Sequence, residues 1–263
     1  MKCALRTAFP AVSYRRMKGL VTEMTEKKLL YKRILLKISG EALKGKQEHG
    51  YCAEAVSQVV ARIKEALDLG VEIALVVGAG NIWRGLAGSK NGMDRVTADY
   101  MGMLATVMNA LCLKDSCTAA GIPCSVHSAV AMEPFAKKFD RELALAELSA
   151  GKLVIFAGGT GSPYFTTDTT AALRALEIHA QAVMKATKVN GIYTDDPVKN
   201  PAAKKFETLS FREAIEGRFG VMDSAAFTLC ADNNLHIIVF NFSEQGALVK
   251  ILTGDYSVGT IVG

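Results

Sequence analysis

The run Leu153-Val154-Ile155-Phe156 stops at Gly158-Gly159-Thr160-Gly161 and passes through Pro163, Thr166 and Thr167 to Asp168. Its length and β-branched content are those of a buried strand, and Ala171, Ala172, Leu173, Ala175 and Leu176 then predict a helix over 168–180. A strand that hands over to a helix through glycines is the unit of a parallel sheet, because parallel neighbours need a crossover. Free backbone N–H groups and the positive end of the helix dipole at such a turn favour an anion. The alternative is a tight strand-to-helix turn that needs glycine's backbone freedom and nothing more.

The same alternation recurs along the chain. Lys32 to Ile38 predicts a first strand stopped by Ser39-Gly40, and Val56, Val59, Val60, Ile63 and Leu67 give residues 53–69 the period of an amphipathic helix ending at Gly70. A strand over 71–77 runs into Gly78-Ala79-Gly80-Asn81. A helix over 97–119 follows, with Thr97 as N-cap and a stripe of Met101, Leu104, Met108, Leu111 and Cys112. A methionine stripe at this spacing belongs to a core or a subunit interface. Strands over 125–131, 183–187 and 237–240, a helix over 141–150, a proline-bearing loop over 194–201 and two later helices complete the pattern. The expected fold class is α/β: a three-layer αβα sandwich around a mostly parallel sheet, residues 31–263 forming one domain.

Charge narrows the function classes. The net charge is +5, from 31 basic and 26 acidic residues, but Lys2, Arg6, Arg15, Arg16 and Lys18 lie in an acid-free start. The rest of the chain is neutral, so nucleic-acid binding is not expected. Residues 1–30 read as a disordered basic extension or a start placed too early, with an organelle-targeting peptide as the alternative. The six cysteines form no C-x-x-C pair and the four histidines stand apart, so neither a protein-held metal nor a disulfide framework is expected, and a reduced cytoplasm is. No apolar run approaches the ~20 residues of a membrane span, so a soluble protein is expected.

Three strand ends therefore carry glycine or hydroxyl turns, Lys37 to Gly40, Gly78 to Asn81 and Gly158 to Thr167, and a parallel sheet brings such ends to one edge. The second is a poor dinucleotide fingerprint, with Trp83 where a third glycine belongs, and the G-x-x-x-x-G-K-[ST] loop is absent. Lys37, closing an apolar strand, either snorkels at a sheet edge or meets an anion, and the neighbouring turns favour the anion. Arg84 reaches the same phosphates or is a solvated loop arginine. Asp99 is a dipole partner or an acceptor for ribose hydroxyls. Asp168 is an N-cap, or it orients catalytic lysines or a magnesium-bound phosphate.

KRILLKISGEAL (32–43), VVGAGNIWRG (76–85), DYMGMLATVMNAL (99–111), GGTGSPYFTTD (158–168), KATKVNGIYTDDP (185–197) and VMDSAAFTL (221–229) together resemble the amino-acid-kinase family, and within it the bacterial uridylate kinase branch. The resemblance spans Tyr31 to Gly263. It implies the amino-acid-kinase fold and transfer of the γ-phosphoryl group of ATP to UMP, in pyrimidine nucleotide biosynthesis. It places Lys37, Ile38, Ser39, Gly40, Gly80 and Arg84 at the ATP phosphates, and Thr187, Tyr193 and Asp196 at the adenosine. Ala79, Asp99, Thr160, Gly161, Ser162, Pro163, Tyr164, Phe165, Thr166 and Thr167 fall at UMP. Lys37 and Asp168 are the implied catalytic pair, with Mg²⁺ carried on ATP. A homohexamer, GTP activation and UTP inhibition are implied as well, and Gly45 to Gly50 stands where the family has a loop linked to GTP. Two residues depart from the pattern: Ala79 replaces the usual glycine and Asn190 a common aspartate. Phosphorylation of a carboxylate or carbamate on the same fold, and nucleotide binding without turnover, are the rival functions.

Overall fold

A computed structural model describes residues 28–83, 92–217, 219 and 222–263. The basic start through residue 27 and Arg84 lie outside the described residues. Leu30 already belongs to the body, its N–H donating to Leu252 O at 3.0 Å.

The strands are β1 (Arg33–Ile38), β2 (Glu72–Val77), β3 (Cys124–Ser128), β4 (Lys137–Lys138), β5 (Leu153–Ala157), β6 (Ala182–Thr187), β7 (Thr208–Leu209), β8 (His236–Asn241) and β9 (Gly259–Val262). They form one nine-stranded sheet in the order β4-β3-β5-β2-β1-β6-β8-β9-β7. It is parallel from β4 to β8, and β9 turns back antiparallel to β8.

The helices are α1 (Ala53–Leu67), α2 (Arg95–Ala119), α3 (Arg141–Ser149), α4 (Thr167–Glu177), α5 (Phe211–Glu216), α6 (Ser224–Asp232) and α7 (Ala247–Leu252). Alternation along each strand divides the interior into two cores. Ile34, Leu36 and Ile38 of β1 face Val59, Ile63, Val107 and Ile251 of α1, α2 and α7. Leu35 faces the opposite core, with Ala144 and Leu148 of α3, Ala171 and Ala175 of α4 and Phe227 of α6. This is the αβα sandwich expected from the sequence.

Two helix starts differ from expectation. Asp94, not Thr97, caps α2: its Oδ1 accepts the Thr97 N–H at 3.0 Å. Thr166, not Asp168, caps α4, its Oγ accepting the Asp168 N–H at 3.0 Å, which leaves the Asp168 carboxylate for other partners. α2 has 25 residues and is long and apolar enough to cross a membrane by length and composition. It buries Ala98, Val107, Ala110 and Leu113 against the sheet as a core helix does, while Tyr100, Met101, Leu104 and Met108 remain exposed.

Topology fixes where α4 begins. It connects β5 to β6, which are separated in the sheet by β2 and β1. The crossover carries its N-terminal turn over the carboxyl end of β1, where strand order reverses and ligands of open α/β sheets bind.

Candidate active site

Lys37 and Lys185 are register partners on β1 and β6 and share the sheet face of Leu35 and Val183. α4 places Asp168 between them, with Lys37 Nζ 2.6 Å from Oδ1 and Lys185 Nζ 2.6 Å from Oδ2. All three side chains are 12–13 % exposed, so the group is shielded but open on one side. Burial acts to raise the Asp168 carboxyl, but the charges of Lys37 and Lys185 outweigh it and hold the pKa below the usual aspartate value. Lys185 moves down because burial and the charge of Lys37 outweigh the attraction of Asp168. The two ammonium groups around Asp168, with Asp223 also acting on Lys185, stand at the mouth of the sheet and suit phosphate oxygens.

The three turns meet around this group. Ser39 caps a short 3₁₀ turn over Gly40–Leu43, accepting the Glu41 N–H at 3.3 Å. A Cβ on Gly40 would lie 2.4 Å from Asn81 Oδ1 and 2.5 Å from Gly78 O, so only glycine allows the first two turns to approach. Asn109 of α2 fastens the second turn: its Nδ2 donates to Gly78 O at 2.7 Å, and Asn81 Nδ2 returns a bond to Asn109 Oδ1 at 3.1 Å. Ala79 O accepts the N–H groups of Ile82 and Trp83, both at 2.9 Å. A Cβ on Gly80 would stand 3.3 Å from Glu41 Oε1, and one on Gly78 would stand 3.5 Å from Thr167 Oγ1. The second turn therefore lies between the other two.

In the third turn, Gly158, Gly159 and Gly161 have φ of +74°, +60° and +83°. Gly158 N–H donates to Thr106 Oγ1 of α2 at 2.9 Å. Thr160 folds back on its own loop, donating to Ser162 O at 3.0 Å, and Ser162 N–H donates to Thr160 Oγ1 at 3.1 Å. Beyond Pro163, Tyr164 and Phe165 are exposed. Tyr164 N–H donates to Asp99 Oδ2 at 2.8 Å, which ties the loop to α2. Asp99 is also held by Arg95 Nε, at 2.9 and 2.8 Å from its two oxygens. Thr166 Oγ1 donates to Asp223 Oδ2, as does Thr169 Oγ1 at 2.9 Å. Asp223 in turn caps α6 through the Ala226 N–H at 2.8 Å.

Two cavities open beside the lysines. One, of about 590 Å³, is lined by Lys185, Thr187, Tyr193, Asp196 and Phe219. The other, of about 550 Å³, lies by Lys37, Ile38, Ser39, Arg62 and Thr187. Thr187 Oγ1 contacts Val189 O at 2.7 Å and Phe240 O at 3.1 Å and receives the Val189 N–H, so it shapes the wall of the first cavity. Among the described residues, no three His, Cys, Asp or Glu side chains are grouped to hold a metal ion.

The structure thus gathers Lys37 to Gly40, Ala79, Gly80, Asp99, Thr160 to Thr167 and Asp168 at one edge, with Thr187, Tyr193 and Asp196 in the adjoining cavity. It adds Lys185, Asp223, Asn109 and Arg95. Lys185 carries the same signal as Lys37, a lysine closing an apolar strand. The other three belong to distant helices and have no such signal.

Residues 32–241 match the model of the amino acid kinase family. The chain is similar to the crystal structure of UMP kinase from Bacillus anthracis, with 35% identity, a TM-score of 0.85, and 89% of this chain and 96% of that chain covered. UMP kinase from Ureaplasma parvum matches at 33% identity and a TM-score of 0.83, covering 88% and 98%. Uridylate kinase from Archaeoglobus fulgidus matches at 27% identity and a TM-score of 0.66, covering 88% and 99%. With the family model spanning most of its length and a structure 35% identical matching 89% of it, the chain belongs to the amino acid kinase family.

Proposed function

We propose that this protein is a UMP kinase, transferring the γ-phosphoryl group of ATP to UMP to give UDP and ADP. The observation that carries this reading is the Lys37–Asp168–Lys185 group set among three anion-type turns, in a chain 35% identical to a UMP kinase over 89% of its length. A phosphate oxygen of UMP forms the new bond to the γ-phosphorus, the bond from that phosphorus to the bridging oxygen breaks, and ADP leaves with the electron pair. No protein nucleophile is required; the protein aligns two anions and neutralises the charge that gathers between them.

Lys37 and Lys185 donate to the transferring group and Asp168 keeps both ammonium groups aimed. Ile38, Ser39, Gly40, Gly80 and Arg84 hold the donor phosphates, and Thr187, Tyr193 and Asp196 line the adenosine cavity. Ala79, Asp99 and the Thr160–Thr167 loop hold UMP. Mg²⁺ carried on ATP, when bound, adds positive charge at the phosphates. Residues 31–263 act as one domain, the N-terminal part mainly on the UMP side and the C-terminal part mainly on the ATP side. The exposed Tyr100, Met101, Leu104 and Met108 of α2 support assembly into a homo-oligomer, in the proposal a hexamer, activated by GTP and inhibited by UTP. A cytoplasmic location accords with this reading.

The test is ADP release with UMP, CMP, carbamate and acidic amino acids offered in parallel. UMP should give turnover well above the others. Turnover with carbamate and none with UMP would reject the proposal.

A further inference from the structure

Arg95 lies in the first turn of α2, where the helix dipole disfavours a cation and where Arg preceding Asp by four residues is the weaker order of an ion pair. Its position is therefore not explained by helix stability. Its Nε–H is shared between both oxygens of Asp99, at 2.9 and 2.8 Å, and its guanidinium carbon lies 5.3 Å from the centre of the Tyr164 ring. Tyr164 closes the circuit by donating its backbone N–H to Asp99 Oδ2 at 2.8 Å.

Tyr164 has φ of +71°, a left-handed conformation that a residue with a bulky side chain rarely adopts. Tyr164 is 63% exposed, so burial does not hold it there. The contacts that do hold it are the bond to Asp99 and the stack on Arg95. Asp99, only 12% exposed, has three of its roughly four acceptor directions taken by these two residues.

We infer that Arg95 is a positioning residue for the acceptor nucleotide: through Asp99 and Tyr164 it fastens the Thr160–Thr167 loop to α2 in the conformation that receives UMP. The inference rests on the functional reading above and adds to it the device that sets acceptor affinity. The effect belongs to the acceptor alone, because the donor cavity by Tyr193 and Asp196 is walled by other segments.

The experiment compares wild type, Arg95→Ala, Arg95→Lys, Tyr164→Ala and the Arg95→Ala/Tyr164→Ala pair in steady-state kinetics. Arg95→Ala should raise the KM for UMP about 10-fold or more, lower kcat less than about threefold and leave the KM for ATP unmoved. Arg95→Lys should fall between, since an ammonium restores the charge beside Asp99 but not the planar stack. The double variant should cost no more than the worse single one, because both act through one link. An unchanged KM for UMP, an equal rise in the KM for ATP, or fully additive effects would overturn the inference. A second measurement needs no turnover: chymotrypsin should cut after Tyr164 and Phe165 about fivefold faster in nucleotide-free Arg95→Ala than in wild type. Equal cleavage rates would overturn the inference whatever the substrate proves to be, whereas a wild type inert towards UMP would reject only the functional reading.

Discussion

Two carboxylates on the helices that cover the sheet sit among cations, and they serve different ends. Asp168 lies between Lys37 and Lys185, each 2.6 Å away. Glu147 of α3 accepts from Ser125 Oγ at 2.6 Å, meets His127 Nε2 at 2.7 Å, and takes Lys137 at 3.1 Å and Lys152 at 3.4 Å. Both stay charged against the cost of burial, and Glu147 is held down to about 2 by its hydrogen bonds from Ser125, His127 and Lys137 even though burial opposes it. The partners differ in where they point. The lysines of Asp168 are shielded strand residues that line cavities at the glycine edge. Those of Glu147 are surface side chains, 54% and 43% exposed, that cover a buried Ser–His pair of β3 and line neither cavity. A perturbed carboxylate marks a candidate site only when its cations are also available to a ligand.

The sharpest way to separate the two is to remove one charge from each. Lys37→Ala should lower kcat by about 10²- to 10³-fold, the cost typical of losing one donor to a developing anion, with the fold and UMP affinity largely kept. Asp168→Asn should fall by a similar factor of about 10² or more, because two shielded ammonium groups then repel without a counter-ion. Near-normal turnover in stopped assays with ATP and UMP would remove either residue from the mechanism. Glu147→Ala should show the opposite profile. Folding should lose about 3 kcal/mol, read as a lower urea midpoint, while kcat per folded molecule stays within about twofold. A large loss of kcat with stability intact would erase the distinction.

Acid provides a milder probe of the same contrast. The Glu147 carboxyl has its pKa lowered from 4.5 to about 2, so its stabilisation is complete above pH 4.5 and is lost as pH falls from there towards 2. Asp168 is shifted in the same direction and adds to this loss. The urea midpoint of the wild type should therefore fall between pH 5 and pH 3. The fall should be shallower in Glu147→Gln, which has no charge to lose. Parallel pH profiles would show that this network does not govern acid stability.

How much of this was legible in the sequence depends on whether a signal is local. Lys37, Ser39-Gly40, the Gly78–Asn81 turn and the Gly158–Thr167 loop each announce themselves through an apolar strand and its stop, so the edge of the site could be read directly. Lys185 carried the same mark and could have been set beside Lys37. That the two meet over one carboxylate depends on β6 pairing with β1, which strand patterns do not specify. Asp223 reaches Thr166 across 57 residues of sequence, and Asn109 reaches Gly78 across 31, through helix packing alone. Asp99 was legible as a polar residue at a helix start. Its capture by Arg95 and Tyr164 was not, because it requires Tyr164 to adopt a positive φ. The antiparallel return of β9 was also hidden, since a four-residue strand carries too little pattern to declare its direction.

The smallest effect is expected at the second turn, which the proposed function sets between the donor and acceptor segments. Ala79 stands where the family usually has glycine, and the reason for a glycine would be either a left-handed backbone or a close approach to the acceptor. The first does not apply, because Ala79 is absent from the positive-φ residues of the described chain. Its methyl group therefore sits on an unstrained backbone whose carbonyl already closes the turn onto Ile82 and Trp83. Ala79→Gly should lower stability by no more than about 1 kcal/mol, through the extra freedom of the unfolded chain. It should move the KM for UMP by less than about threefold, because no backbone constraint is released. A KM for UMP lowered tenfold would mean that the methyl group presses on the acceptor itself. The second turn would then set acceptor affinity together with Asp99 and Tyr164, and the acceptor side would no longer be governed from α2 alone.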